Sequence, residues 1–163
     1  MVITGGEPTI HKDLPEFIRK IKAAKYLVCL ETNGTNPEML EELLKGKLLD
    51  YLAMDIKASP ERYAEVVLTE VNMQKVKRSA NILRNSGIEY QFRTTYVPGL
   101  VGKDDAERIG QWLDGAESYA VQNFSPKRCL DKSFESKKPY SKEEIEEIAG
   151  IARRFFKDVQ VRE

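Results

Sequence analysis

The chain has 163 residues, 41% of them hydrophobic, which is enough for one compact domain with a sizeable core. Acidic and basic residues balance at 26 each, so no net field draws it to nucleic acid or to an anionic membrane. No apolar run approaches the roughly 20 residues of a membrane span, and no basic n-region precedes an apolar h-region, so the expectation is a cytoplasmic protein. The two cysteines, Cys29 and Cys129, form no CxxC or similar pair.

The chain opens on Met1-Val-Ile-Thr-Gly-Gly-Glu-Pro8. Val2 and Ile3 are β-branched and read as the end of a buried strand. Gly5 and Gly6 lack a Cβ, so the backbone can turn there and a ligand can approach. Glu7 adds a carboxylate, and Pro8 stops the strand. Free carbonyls and one carboxylate suit a cationic group such as the ammonium of an amino acid. A plain strand-to-helix turn would explain a bare Gly-Gly equally well.

Residues 14–24 carry Leu14, Phe17, Ile18 and Ile21 at the spacing of one helical face. Asp13 stands at the N-cap position. Residues 26–30 read as a continuous apolar strand ending at Glu31-Thr32-Asn33-Gly34. Residues 37–44 read as a helix with proline at its first position. Residues 50–57 read as a strand, while 61–70 read as a short helix and loop over the surface. A helix is expected over 72–85, with Val76, Ala80 and Leu83 on one face. The aromatic and β-branched run 89–97 is a strand closed by Pro98-Gly99. A helix over 104–113 should turn Ala106, Ile109, Trp112 and Leu113 inward. A strand follows over 118–124, then a long loop over 127–140. Ser141 and Glu144 form a capping-box pair opening a helix to about Phe156. Residues 159–161 close the chain as a short strand.

Alternating strands and helices argue for an α/β fold with a parallel sheet, either open and doubly wound or part of a (β/α) barrel. In such folds ligand groups sit at the carboxyl ends of strands. The unusual segments fall there: Gly5-Gly6-Glu7, Glu31 to Gly34, Asp55 to Lys57, and 123–126; Arg93 lies inside its strand. Glu31 and Asp55 suit a general acid/base pair, a hard cation or a ligand amine, or each simply caps a turn, as Asn33 and Ser59 would. Asp55 and Lys57 are two apart on a strand and share a face, where charge needs a partner. Arg93 suits a carboxylate. His11 reads as a solvated loop histidine, Cys29 as a small buried hydrophobe, and Cys129 as a surface thiol. Neither a GxSxG elbow nor a phosphate loop occurs.

The GGEP turn, ETNG, the strand ending MDIK, the arginine-bearing strand ending YVPG and the QNFSP turn together resemble the glycyl-radical-enzyme activating proteins of the radical S-adenosylmethionine (SAM) superfamily. The likeness is to the activators of anaerobic ribonucleoside-triphosphate reductase and of pyruvate formate-lyase. The resemblance implies a partial, open (β/α) barrel, here without its first β-α unit. It implies SAM as cofactor, with Gly5, Gly6 and Glu7 on the amino group. Glu31, where relatives often have Asp in DTNG, would lie beside the methionyl carboxylate. Asp55 and Lys57 would sit there too, and Arg93 would face SAM or a substrate peptide. Residues 123–126 would lie near the adenine. The implied partner is a glycyl-radical enzyme, activated through a 5′-deoxyadenosyl radical. The family's [4Fe–4S] cluster is held by CxxxCxxC, which this sequence does not contain. The expectation is therefore a fragment, a truncated reading frame or a remnant, inactive as it stands, or else a non-redox binding module for SAM or a related ligand. An apolar first strand at the sheet edge also leads us to expect a homodimer.

Overall fold

The computed structural model describes residues 1–129 and 131–162. Six strands take their places in one open sheet in the order of the chain, and helices alternate with them. The first strand pairs in parallel with the second, the second with the third and the fifth with the sixth, as the β-α repeat requires. The residues group into two compact units, one of Met1–Asp55 and Val71–Phe92, the other of Ile56–Glu70 and Arg93–Glu163.

The first unit begins with β1 (Val2–Ile3), followed by α1 (Leu14–Ala23), β2 (Cys29–Thr32), α2 (Pro37–Lys45) and β3 (Tyr51–Asp55). It is completed by α4 (Met73–Arg84) and the first half of β4 (Glu89–Tyr96). Val2 lies opposite Cys29, Ile3 opposite Leu30, and Glu31 opposite Ala53. Leu30, Leu52 and Met54 are fully buried with Ile18, Leu40, Leu43, Val76 and Leu83, so the face carrying Leu30 is the one the helices cover. Burial of each such side chain contributes about 1.5–3 kcal/mol.

Four sequence expectations shift here. The strand expected over 26–30 starts at Cys29 and runs on through Glu31 and Thr32. Lys25 has a positive φ of 62° and ends the turn after α1. Tyr26 and Leu27 are then 58% and 71% exposed, because the ladder begins only where β1 and β3 offer partners. Phe17, expected inward, is exposed. Asp13 makes no side-chain cap, its backbone being already helical at φ −85° and ψ −1°. The strand expected over 50–57 stops at Asp55, so Lys57 lies beyond it.

The second unit holds α3 (Tyr63–Val67), the second half of β4, α5 (Lys103–Trp112), β5 (Ser118–Asn123), α6 (Lys142–Ala152) and β6 (Asp158–Arg162). Its core gathers Ile56, Tyr63, Tyr96, Ile109, Tyr119, Ile145 and Ile148. The Ser141–Glu144 capping box forms on both sides. The helix it opens ends at Ala152 rather than near Phe156, because Phe155 turns inward onto Gly110. A Cβ on Gly110 would lie 2.2 Å from that ring. Trp112 is half-buried, and Leu113 takes the inward place. The expected loop over 127–140 contains two short 3-10 turns, Pro126–Arg128 and Lys132–Ser136; its Leu130 lies outside the described residues.

Candidate functional site

In the first unit, chemistry collects at the carboxyl ends of β1 and β2. Gly5 and Gly6 have φ of +102° and +53°, conformations that L side chains avoid. A Cβ built on either would meet nothing within 4 Å, so the turn borders open space. Both glycines take the positive φ that the turn was expected to need.

Side-chain direction follows from register. Ile3 pairs with Leu30 and Glu31 with Ala53, so Thr4, Glu31 and Ala53 share the face opposite Leu30. The Thr4 hydroxyl donates to Glu31 Oε2 at 2.7 Å, which places both on that face. Asp55 is two residues beyond Ala53 on the same strand and therefore faces the same way, half-buried like Glu31. Glu31 and Asp55, named from sequence as strand-end carboxylates, are thus brought to one face of one unit. Glu31, however, sits within β2 instead of after it.

Glu7 goes the other way. Its Oε1 accepts from the Thr9 amide at 3.1 Å, the Thr9 hydroxyl at 2.6 Å and the Thr32 hydroxyl at 2.7 Å. Its Oε2 accepts from the Asn33 amide at 2.6 Å. Thr32 is one residue past Glu31, on the helix-covered side, and is buried, as is Thr9. The ETNG turn is held from the same side. The Gly34 amide donates to Thr32 Oγ1 at 3.1 Å, and Ser79 Oγ of α4 donates to the Gly34 carbonyl at 2.7 Å. Asn33 Oδ1 accepts from the amide and hydroxyl of Thr35, the turn-capping role foreseen for it. Sequence reasoning missed Thr9, Thr32 and Ser79. A hydroxyl flanking each of two polar turns was the only available signal.

A cavity of about 270 Å³ adjoins the turn, lined among others by Thr4, Gly5, Pro8, His11 and Phe17. His11 is exposed, as expected.

In the second unit, Lys57 is exposed and its amide donates to the Tyr63 hydroxyl at 3.3 Å. Arg93 is half-buried in β4, and its carbonyl accepts from the Ile56 amide at 2.8 Å. In the 123–126 turn, the Asn123 side-chain amide donates to the Tyr140 carbonyl at 2.8 Å. The Ser59 hydroxyl does not cap its turn; it is buried without a hydrogen-bond partner. Nearby, Arg62 donates to the buried Asp105 carboxylate at 2.6 Å and to the Leu100 carbonyl at 3.0 Å. Those groups line a second cavity of about 400 Å³ with Gly99, Gly102 and Tyr140. Burial, with Asp105 nearby, pushes the Tyr119 phenol up; the Tyr96 hydroxyl stands 2.9 Å from it and is raised by burial as well.

Comparison with known proteins fits this arrangement. The model of the radical SAM superfamily matches residues 1–113. A protein of Methanocaldococcus jannaschii assigned as a glycyl-radical enzyme activating enzyme is 36% identical over 168 residues. The alignment takes in 99% of this chain and 70% of that one. A second protein of the same organism, assigned the same role, is 25% identical over 98% of this chain, which spans 61% of its length. In fold, the chain is similar to a domain of the pyruvate-formate lyase-activating enzyme of Bacteroides vulgatus. The TM-score is 0.76 at 13% identity, over 100% of this chain and 98% of that one.

The chain therefore belongs to the radical SAM superfamily and, within it, to the glycyl-radical enzyme activating enzymes. Membership implies SAM and a [4Fe–4S] cluster as the family's cofactors. An open diglycine turn beside two carboxylates fits the ammonium end of SAM. Among the described residues no group of three or more His, Cys, Asp or Glu side chains stands together as a metal site. No helix among the described residues is long and apolar enough to cross a membrane.

Proposed function

We propose that this chain is the SAM-binding portion of an activating enzyme that acts on a glycyl-radical enzyme. In the whole protein the 5′-deoxyadenosyl radical would take hydrogen from a glycine of that partner. The observation that carries the reading is the Gly5-Gly6 turn. Two consecutive left-handed residues open onto free space, next to the face that bears Glu31 and Asp55. Carbonyls of that turn and a carboxylate would together meet the ligand's ammonium, with anionic oxygen as the natural partner of an amine donor. In the second unit the proposal rests on sequence alone: Lys57 and Arg93 keep the roles that the resemblance gives them. The family's cluster would supply the electron for SAM cleavage; nothing in this chain is assigned to hold it.

Calorimetric titration with SAM tests the reading. Wild type should bind with a dissociation constant of roughly high micromolar to millimolar, because no metal coordination adds to the contacts. Asp55→Ala should weaken binding about tenfold, the loss of one charge-assisted hydrogen bond. Equal binding by both proteins would put the site elsewhere.

A further inference from the structure

Glu7 follows the diglycine turn directly, and the simplest assignment would aim its carboxylate at the ligand. The hydrogen bonds argue otherwise. An ionised carboxylate offers about four lone-pair sites. Oε1 already takes three donors, the amide and hydroxyl of Thr9 and the hydroxyl of Thr32, and Oε2 takes the amide of Asn33. Direction agrees with capacity. Thr32 lies on the helix-covered side of β2, whereas Glu31, its neighbour, lies on the other face with Thr4 and, by register, Asp55.

We infer that Glu7 is a positioning residue, both oxygens of its carboxylate engaged in fastening the Gly5-Gly6 turn to the Thr32-Asn33 turn, and that it serves a ligand only through the backbone it holds. The fastening continues outward. The Thr9 carbonyl accepts from the Asn36 side-chain amide at 2.6 Å, and Asn36 caps α2 through the Met39 amide. Thr32 leads through Gly34 to Ser79 of α4. Two helices thus set where the glycine carbonyls lie. This inference rests on the SAM reading for its effect on a ligand, but the fastening itself is a property of the free protein.

The experiment has two arms. In the first, amide exchange is compared in ligand-free wild type and Glu7→Gln at a temperature where both are folded. The neutral amide of Gln cannot accept from all four donors, and its NH2 opposes one of them. Exchange at Asn33 and Thr9 should quicken at least tenfold, while Leu52 and Met54 in β3 keep their protection. Unchanged exchange at Asn33 and Thr9 would overturn the inference. In the second arm, SAM affinity is measured for Glu7→Gln, Thr32→Val and the double variant. A residue acting through Thr32 gives single losses of about tenfold and a double loss hardly larger. Undiminished affinity in Thr32→Val, with loss confined to Glu7→Gln, would make Glu7 a direct contact and overturn the inference. Altered exchange with no SAM binding by wild type would sink the SAM reading and leave the fastening standing.

Discussion

Two neighbouring residues of one turn, Thr32 and Gly34, show how the site is built against the core. Gly34 has φ +75°, and a Cβ there would fall 2.1 Å from Met54 Cε and 3.3 Å from Ser79 Cβ. Both neighbours are buried. Gly34→Ala combines a left-handed backbone with overpacking, and should lose about 2–4 kcal/mol in urea unfolding. A loss under about 0.5 kcal/mol would mean that Met54 yields freely and the turn is loosely seated. The glycine was legible in ETNG as a turn residue. Its closeness to Met54 was not, because it depends on the β2–β3 register and on a helix beginning some forty positions later, with Asn72 as its N-cap. The same limit applies to Glu7. Its position in the motif was plain, but its direction is set by Thr32, across a strand pairing that sequence does not encode locally.

Elements are where sequence and structure agree best, and their ends are where they part. The helices with strong 3.6-residue periodicity all form, and α4 buries Val76, Ala80 and Leu83 as read. The strand over 26–30 was displaced because apolar content marks burial, whereas strand bounds follow available partners. What secures that region is a charged clasp between elements. Asp50, just before β3, accepts from Lys22 of α1 at 2.7 Å and from the Val28 amide at 2.7 Å. The Lys22 ammonium first, and then the Val28 amide, hold the Asp50 carboxyl below its usual range. A carboxylate whose folded value is depressed adds stability that is full above its unfolded value, roughly 3.9, and is lost as pH falls through the folded value. Asp50→Asn should therefore be less stable than wild type near about pH 7, and the gap should close toward about pH 2. The side chains are 29% and 30% exposed, so solvent screening keeps the effect modest. Urea midpoints across that range check it; a gap that stays constant with pH would mean the clasp acts through packing rather than charge.

For the whole molecule, the issue is what a radical SAM scaffold can do with the residues it has. Reductive cleavage of SAM needs an electron delivered at the ligand, and in this superfamily an iron–sulfur cluster on cysteine thiolates is the source. This chain has two cysteines, separated by 99 other residues, where such a cluster draws on several thiolates. His11 and the carboxylates do not make up the number, for the described residues contain no group of three candidate ligands. Meanwhile the diglycine turn is open, and Glu31 and Asp55 share one face of β2 and β3. Binding and chemistry should thus be separable in this polypeptide. After anaerobic reconstitution with iron and sulfide, the 163-residue chain should retain no stoichiometric cluster and release no 5′-deoxyadenosine above a protein-free control. Multiple turnovers would refute this and would require a thiolate or other ligand that the fold does not reveal. A pair of substitutions sharpens the test. Because Cys29 lies within β2 and Cys129 in the loop after β5, replacing both with serine should leave iron content and SAM affinity as they were. If iron uptake instead falls with those substitutions, the two thiols hold the iron themselves and the prediction fails.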